Sequence, residues 1–245
     1  MNETCERLKI GAMPAIVEAE HMERYKFAQI YAQGKVALDI ACGTGYGSRM
    51  LLDGGALNVV GIDLSEDAIS YAKEKYECES LTFFLGDAEN LISINNNIFD
   101  VVFSFETIEH VPHVQKYLSE IYRVLKPGGT FFVSTPDRRL ASVLYPITRK
   151  PAHPFHIKEY TYSEFISILE TKFMIVDKMG QAYISQLLVL WPVQIFFKAL
   201  KNILPLKFII TFVDKLYHIG SGLPVQKKHK SAIARFWLIK CKKPL

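Results

Sequence analysis

The chain has 245 residues, 49% of them hydrophobic and 22% charged, with a formal net charge of +4. This length fits one α/β domain with a substantial core, and so slight a charge gives no argument for a nucleic-acid partner. Four scattered cysteines (Cys5, Cys42, Cys78 and Cys241) form no C-x-x-C pair, so a reducing compartment is expected, without structural zinc or another metal site.

Residues 1–34 read as an N-terminal arm with a helix around 15–33. The opening MNETCERLKIGAM lacks the apolar core of a signal peptide, so a cytoplasmic location is expected. Apolar runs predict strands near 35–40, 57–62, 81–85, 99–104 and 129–134. Helices are predicted near 45–53, 66–76 and 112–125. The second of these has Ser65 as an N-cap and Glu66 and Asp67 in its first turn. Lys126-Pro127-Gly128-Gly129 reads as a turn before the fifth strand. Thr161 and Glu164 have capping-box spacing at the head of a helix over 161–171. Residues 173–180 and 234–242 read as the last two strands.

The stretch 36–47, VALDIACGTGYG, joins a buried strand to a tight glycine loop and the start of a helix. In open α/β sheets ligands bind at the carboxyl ends of the strands, where such loops lie. The dinucleotide fingerprint G-x-G-x-x-G puts its third glycine where this chain has Ser48. Here Gly43, Gly45 and Gly47 alternate instead, behind the acidic Asp39. A carboxylate aimed into the loop would repel a pyrophosphate and suit a ligand with an amino group and a sulfonium. That logic favours S-adenosyl-L-methionine over NAD. Asp63, at the next strand end, can accept from a ribose diol in either case.

Five segments in order, DIACGTGYG, GIDLS, GDAENL, FDVVFSFETIEHV and LKPGGTFFVSTP, cover roughly 35–136. With them the chain resembles the class I S-adenosylmethionine-dependent methyltransferases of the methyltransferase-domain type. The resemblance implies a Rossmann-like, doubly wound α/β fold, with a seven-stranded, mostly parallel sheet and an antiparallel last strand. The domain would span 35–245. Asp39, Gly43 and Gly45 would hold the methionine end of the cofactor, Asp63 the ribose, Asp87 the adenine amino group, and the Ala88 N–H the ring. Ala41, Leu64 and Glu106 complete the implied cofactor set, and Arg24 and Tyr25 would close over it from the arm.

An acceptor hydroxyl benefits from a general base. His110 and His156 are the first candidates and Glu109 and His153 the others; for each histidine a plain structural hydrogen bond is the alternative reading. The patterns E-H-x-x-R-Y at 20–25 and H-P-F-H-x-x-E-Y-T at 153–161 resemble a subgroup found in surface-glycan biosynthesis. That subgroup implies a sugar or lipid-linked glycan acceptor; the alternative is a small apolar acceptor such as a quinone, phenol or lipid.

Residues 183–220 form an apolar, lysine-studded insertion before the last strand, broken by Pro192, Lys198, Lys201 and Pro205. Two short amphipathic helices are expected there, serving as a lid, an extra core layer or a contact with the inner membrane face. No motif speaks for nucleic acid, and the oligomeric state is open.

Overall fold

The computed structural model describes residues 15–141, 150–151, 153–185, 224–227 and 232–245. Its elements in order are α1 (Ala15–Ala32), β1 (Val36–Ile40), α2 (Tyr46–Asp53), β2 (Asn58–Asp63), α3 (Glu66–Tyr76), β3 (Leu81–Leu85) and β4 (Phe99–Phe105). There follow α4 (Val114–Val124), β5 (Leu125–Pro136), α5 (Arg138–Ala141), α6 (Tyr162–Leu169), β6 (Met174–Ser185), β7 (Gln226–Lys227) and β8 (Ala232–Lys242).

The described strands join one sheet in the order β3-β2-β1-β4-β5-β8-β6-β7. β1 to β5 are parallel, and β8 runs antiparallel between β5 and β6. The expected architecture holds, with two refinements. A two-residue β7 adds an eighth strand at the edge. β6 runs on to Ser185, so residues 183–185, read as the start of the insertion, are strand, and the rest of it falls within residues 186–223, outside the described residues. Among the described residues, no helix is long and apolar enough to cross a membrane.

Alternation along β1 sends Leu38 and Ile40 to the core beneath α4 and α6, and Ala37 to the core beneath α1, α2 and α3. Asp39 shares the face of Ala37. The arm helix is part of this second core, with Ala28 and Ala32 fully buried.

Both predicted helix starts are present. The Ser65 hydroxyl accepts from the Ala68 N–H at 3.3 Å. Thr161 and Glu164 form the reciprocal capping box. The Lys-Pro-Gly-Gly turn is instead a bulge within β5: Leu125 pairs with Phe99 but Thr130 with Val101. Leaving β1, the chain runs to β2 on one side, while β4 lies on the other. That reversal opens a crevice at the carboxyl ends of β1 and β4.

Candidate active site

A cavity of about 840 Å³ fills the crevice, within the range of cofactor and substrate sites. The strand ends β1, β2 and β4, helix α1 and the segment 153–159 supply most of its wall. Ala41 and Glu106, at the carboxyl ends of β1 and β4, both adopt left-handed backbone, with φ of 57° and 54°. Non-glycine residues seldom do so, and such strain gathers at ligand sites.

Asp63 anchors the glycine loop. Its carboxylate accepts from the Gly43 N–H at 2.9 Å and from the Ser65 N–H at 2.8 Å. Asp87 takes the Glu89 N–H at 2.8 Å. Glu106 accepts from the Ser134 hydroxyl at 2.5 Å. Ala41, Gly43, Leu64 and Ala88 share this wall with Asp63, Asp87 and Glu106.

Three residues singled out in the sequence do not face the cavity. Asp39 is fully buried behind it, accepting from the Tyr25 hydroxyl at 3.0 Å and the Ser48 hydroxyl at 2.6 Å. Tyr25 itself lines the wall, so Asp39 reaches the cavity through that ring. Gly45 turns toward Ala72 and Phe83 in the core. Arg24 is 1% exposed, with Nη1 on Gln181 Oε1 at 2.7 Å and its guanidinium 4.7 Å from the Phe236 ring centroid. It ties α1 to β6 and β8.

Burial pushes Asp39 up to about 7 against the hydrogen bonds of Ser48 and Tyr25. The folded chain therefore holds this proton up to about pH 7, while the unfolded chain releases it near 3.8. Between those values the native state binds more protons, so stability falls as pH rises. Asp39→Asn removes that slope. Melting curves of both proteins should show the wild type losing ground to the variant between about pH 4 and pH 7, by up to about 4 kcal/mol.

Glu20 is a wall residue that sequence reasoning did not single out for a role. Its Oε1 accepts from Arg235 at 3.1 Å, and its Oε2 has no partner among the described residues. Burial raises its pKa, against Arg235 and Arg24. A buried carboxylate oxygen of this kind favours a positively charged neighbour. Among the described residues, seven carboxylates and one guanidinium line the cavity. The wall thus suits a ligand carrying an amino group and a sulfonium.

At the other end Glu109, His110 and His156 converge. Glu109 is 1% exposed and accepts from Thr135 Oγ1 at 3.0 Å. The Glu109 carbonyl takes the N–H groups of Ile157 and Lys158, which fastens the 153–159 segment to the end of β4. His110 and His156 meet edge to face, with ring centroids 4.9 Å apart. His153 lies 4.5 Å from the His156 ring, and burial and His156 lower its pKa.

The sequence model of the family described as "Methyltransferase domain" matches residues 38–133. A Mycolicibacterium smegmatis protein described as "Probable S-adenosylmethionine-dependent methyltransferase" is 34% identical over 148 residues, 60% of this chain and 55% of that protein. The ubiquinone biosynthesis O-methyltransferase of Coxiella burnetii is 34% identical over 133 residues, 51% of this chain and 53% of that protein. The chain therefore spans about half the length of the curated relatives it matches. Among solved structures, an S-adenosylmethionine-dependent methyltransferase from Thermotoga maritima aligns with a TM-score of 0.63 at 17% identity, covering 93% of this chain and 91% of that one. At that identity the likeness shows the fold alone. The matched domain and these relatives imply S-adenosyl-L-methionine as the cofactor, which the acid-rich wall fits.

Proposed function

We propose that this chain, whose residues 38–133 match the sequence model of a methyltransferase domain, is an S-adenosylmethionine-dependent O-methyltransferase acting on a hydroxylated small molecule. One observation carries the reading. A single cavity joins the loop and carboxylates suited to the cofactor with the Glu109, His110 and His156 cluster suited to a hydroxyl.

When bound, the cofactor supplies a methyl group on a sulfonium, with a neutral thioether as leaving group. The protein's share is alignment, which can contribute several kcal/mol. Asp63 would hold the ribose diol and Asp87 the adenine edge. Glu20 and Glu106 would face the cationic end. Phe155, Phe236 and Leu140 give the same cavity an apolar stretch of wall. The histidine cluster would receive the acceptor hydroxyl and favour its oxyanion.

A phenolic or quinol hydroxyl is the first acceptor class, supported by the name of the Coxiella burnetii relative. A sugar hydroxyl is the second, supported by the density of polar groups around His153, His156 and Thr107. Calorimetry with S-adenosylhomocysteine tests the cofactor half and should show saturable binding. Incubation with methyl-labelled cofactor and a catechol or a free hexose tests the acceptor half. Label in the catechol supports the first class and label in the hexose the second. Absence of S-adenosylhomocysteine binding overturns the whole reading.

A further inference from the structure

The acceptor end of the cavity holds a donor set that methyl transfer by alignment alone does not require. Glu109 and His110 follow β4, and His156 comes from the segment ahead of α6. One ligating atom from each lies within 4.8 Å of the others. Two imidazoles and a carboxylate make a donor set for a divalent transition metal.

The surroundings are arranged as around a metal. His156 Nδ1 lies 2.8 Å from Glu159 Oε1, and Glu159 is fully buried. His110 Nδ1 lies 2.9 Å from the Phe155 carbonyl oxygen. Donation of Nδ1–H to these acceptors places the lone pair of each ring on Nε2. Metal-bound histidines are oriented in the same way, by a carboxylate or a backbone carbonyl on the other ring nitrogen. The second oxygen of Glu159 has no partner among the described residues, which leaves an unsatisfied carboxylate oxygen behind the His156 ring. A cation beyond that ring would compensate it.

We propose that Glu109, His110 and His156 bind one divalent transition-metal ion of the zinc or manganese class, and that this ion takes the hydroxyl of the methyl acceptor as a further ligand. The ion site stands on the geometry; its role toward the acceptor rests on the function proposed above. A hydroxyl bound there gives its proton to solvent water more readily than a free one, because the cation stabilises the oxyanion. That oxygen then forms the bond to the methyl carbon. The carbon–sulfur bond breaks, and its electron pair stays on sulfur. A pair of adjacent hydroxyls, as in a catechol or a vicinal diol, would chelate the ion and be preferred over a lone one.

The test uses the full chain without a histidine tag, stripped with a chelator and dialysed. Calorimetric titration with Zn²⁺ alone should reveal one site per chain, and Zn²⁺ should raise the melting temperature. Glu109→Gln and His156→Gln should each weaken Zn²⁺ binding at least tenfold, on the scale of losses at metal sites. Both should leave S-adenosylhomocysteine affinity unchanged, which also shows that they fold. Glu109→Gln keeps an acceptor for Thr135, so it guards against a loss of packing. Absence of saturable Zn²⁺ binding, or equal affinity in both variants, overturns the site. Metal binding without S-adenosylhomocysteine binding would leave the site standing and overturn only the methyltransferase reading.

Discussion

Asp63→Ala should lower the affinity for S-adenosylhomocysteine by more than about a hundredfold, roughly 3 kcal/mol or more. Two losses add. The carboxylate is the proposed acceptor for the ribose diol, and hydrogen bonds to a charged group contribute about 1.5–3 kcal/mol each. It also accepts from Gly43 and Ser65, so its removal frees the glycine loop on one side and the start of α3 on the other. Asp63→Asn keeps one acceptor oxygen and should lose about tenfold. Calorimetry on the folded variants measures both. Affinity in Asp63→Ala within about threefold of wild type would remove Asp63 from the cofactor site, since a single hydrogen bond to a charged group exceeds that.

Gly45→Ala should destabilise the fold by about 3 kcal/mol or more, and Gly43→Ala by only about 1–2 kcal/mol. Both glycines sit in left-handed backbone, with φ of 82° and 55°. Their surroundings differ. A Cβ on Gly45 would lie 2.7 Å from Ala72 Cβ and 2.8 Å from the Phe83 ring, whereas one on Gly43 meets nothing within 4 Å. Strain and overpacking therefore combine at Gly45, lowering the melting temperature by about 10 °C. Gly43→Ala pays mostly strain, but its methyl group enters the space beside a cavity residue. It should weaken S-adenosylhomocysteine binding more than tenfold while shifting the melting temperature by only a few degrees. Thermal melts paired with calorimetry separate the two effects. Equal melting temperatures for the two variants would contradict the packing assigned to Gly45.

The contrast between these glycines shows where sequence reading stops. The loop itself is legible, because only small residues make so tight a strand-to-helix turn and glycine alone takes left-handed φ freely. Which glycine faces a ligand and which faces the core is not. The same holds for Asp39. Parallel strands are buried on both faces, so a run such as VALDI carries no polar alternation to say which way its aspartate points. The fold turns Asp39 toward α1 and α2, where Tyr25 and Ser48 meet it, and only Tyr25 reaches the cavity.

The sequence by itself determined the local structure and the family resemblance. The Ser65 cap and the Thr161–Glu164 capping box arise from contacts within a few residues, and the five segments of 35–136 carry their apolar runs and glycine turns within themselves, so both are visible in the chain. Tertiary structure alone decided the rest, because those contacts join residues far apart in sequence. It brought His156 against His110 through hydrogen bonds from Ile157 and Lys158 to the Glu109 carbonyl. It set Glu20 on the cavity wall beside Arg235, locked Arg24 onto Gln181, and slotted β8 between β5 and β6. Chain periodicity carries no term for such long-range pairings; burial and charge compensation in the assembled core select them.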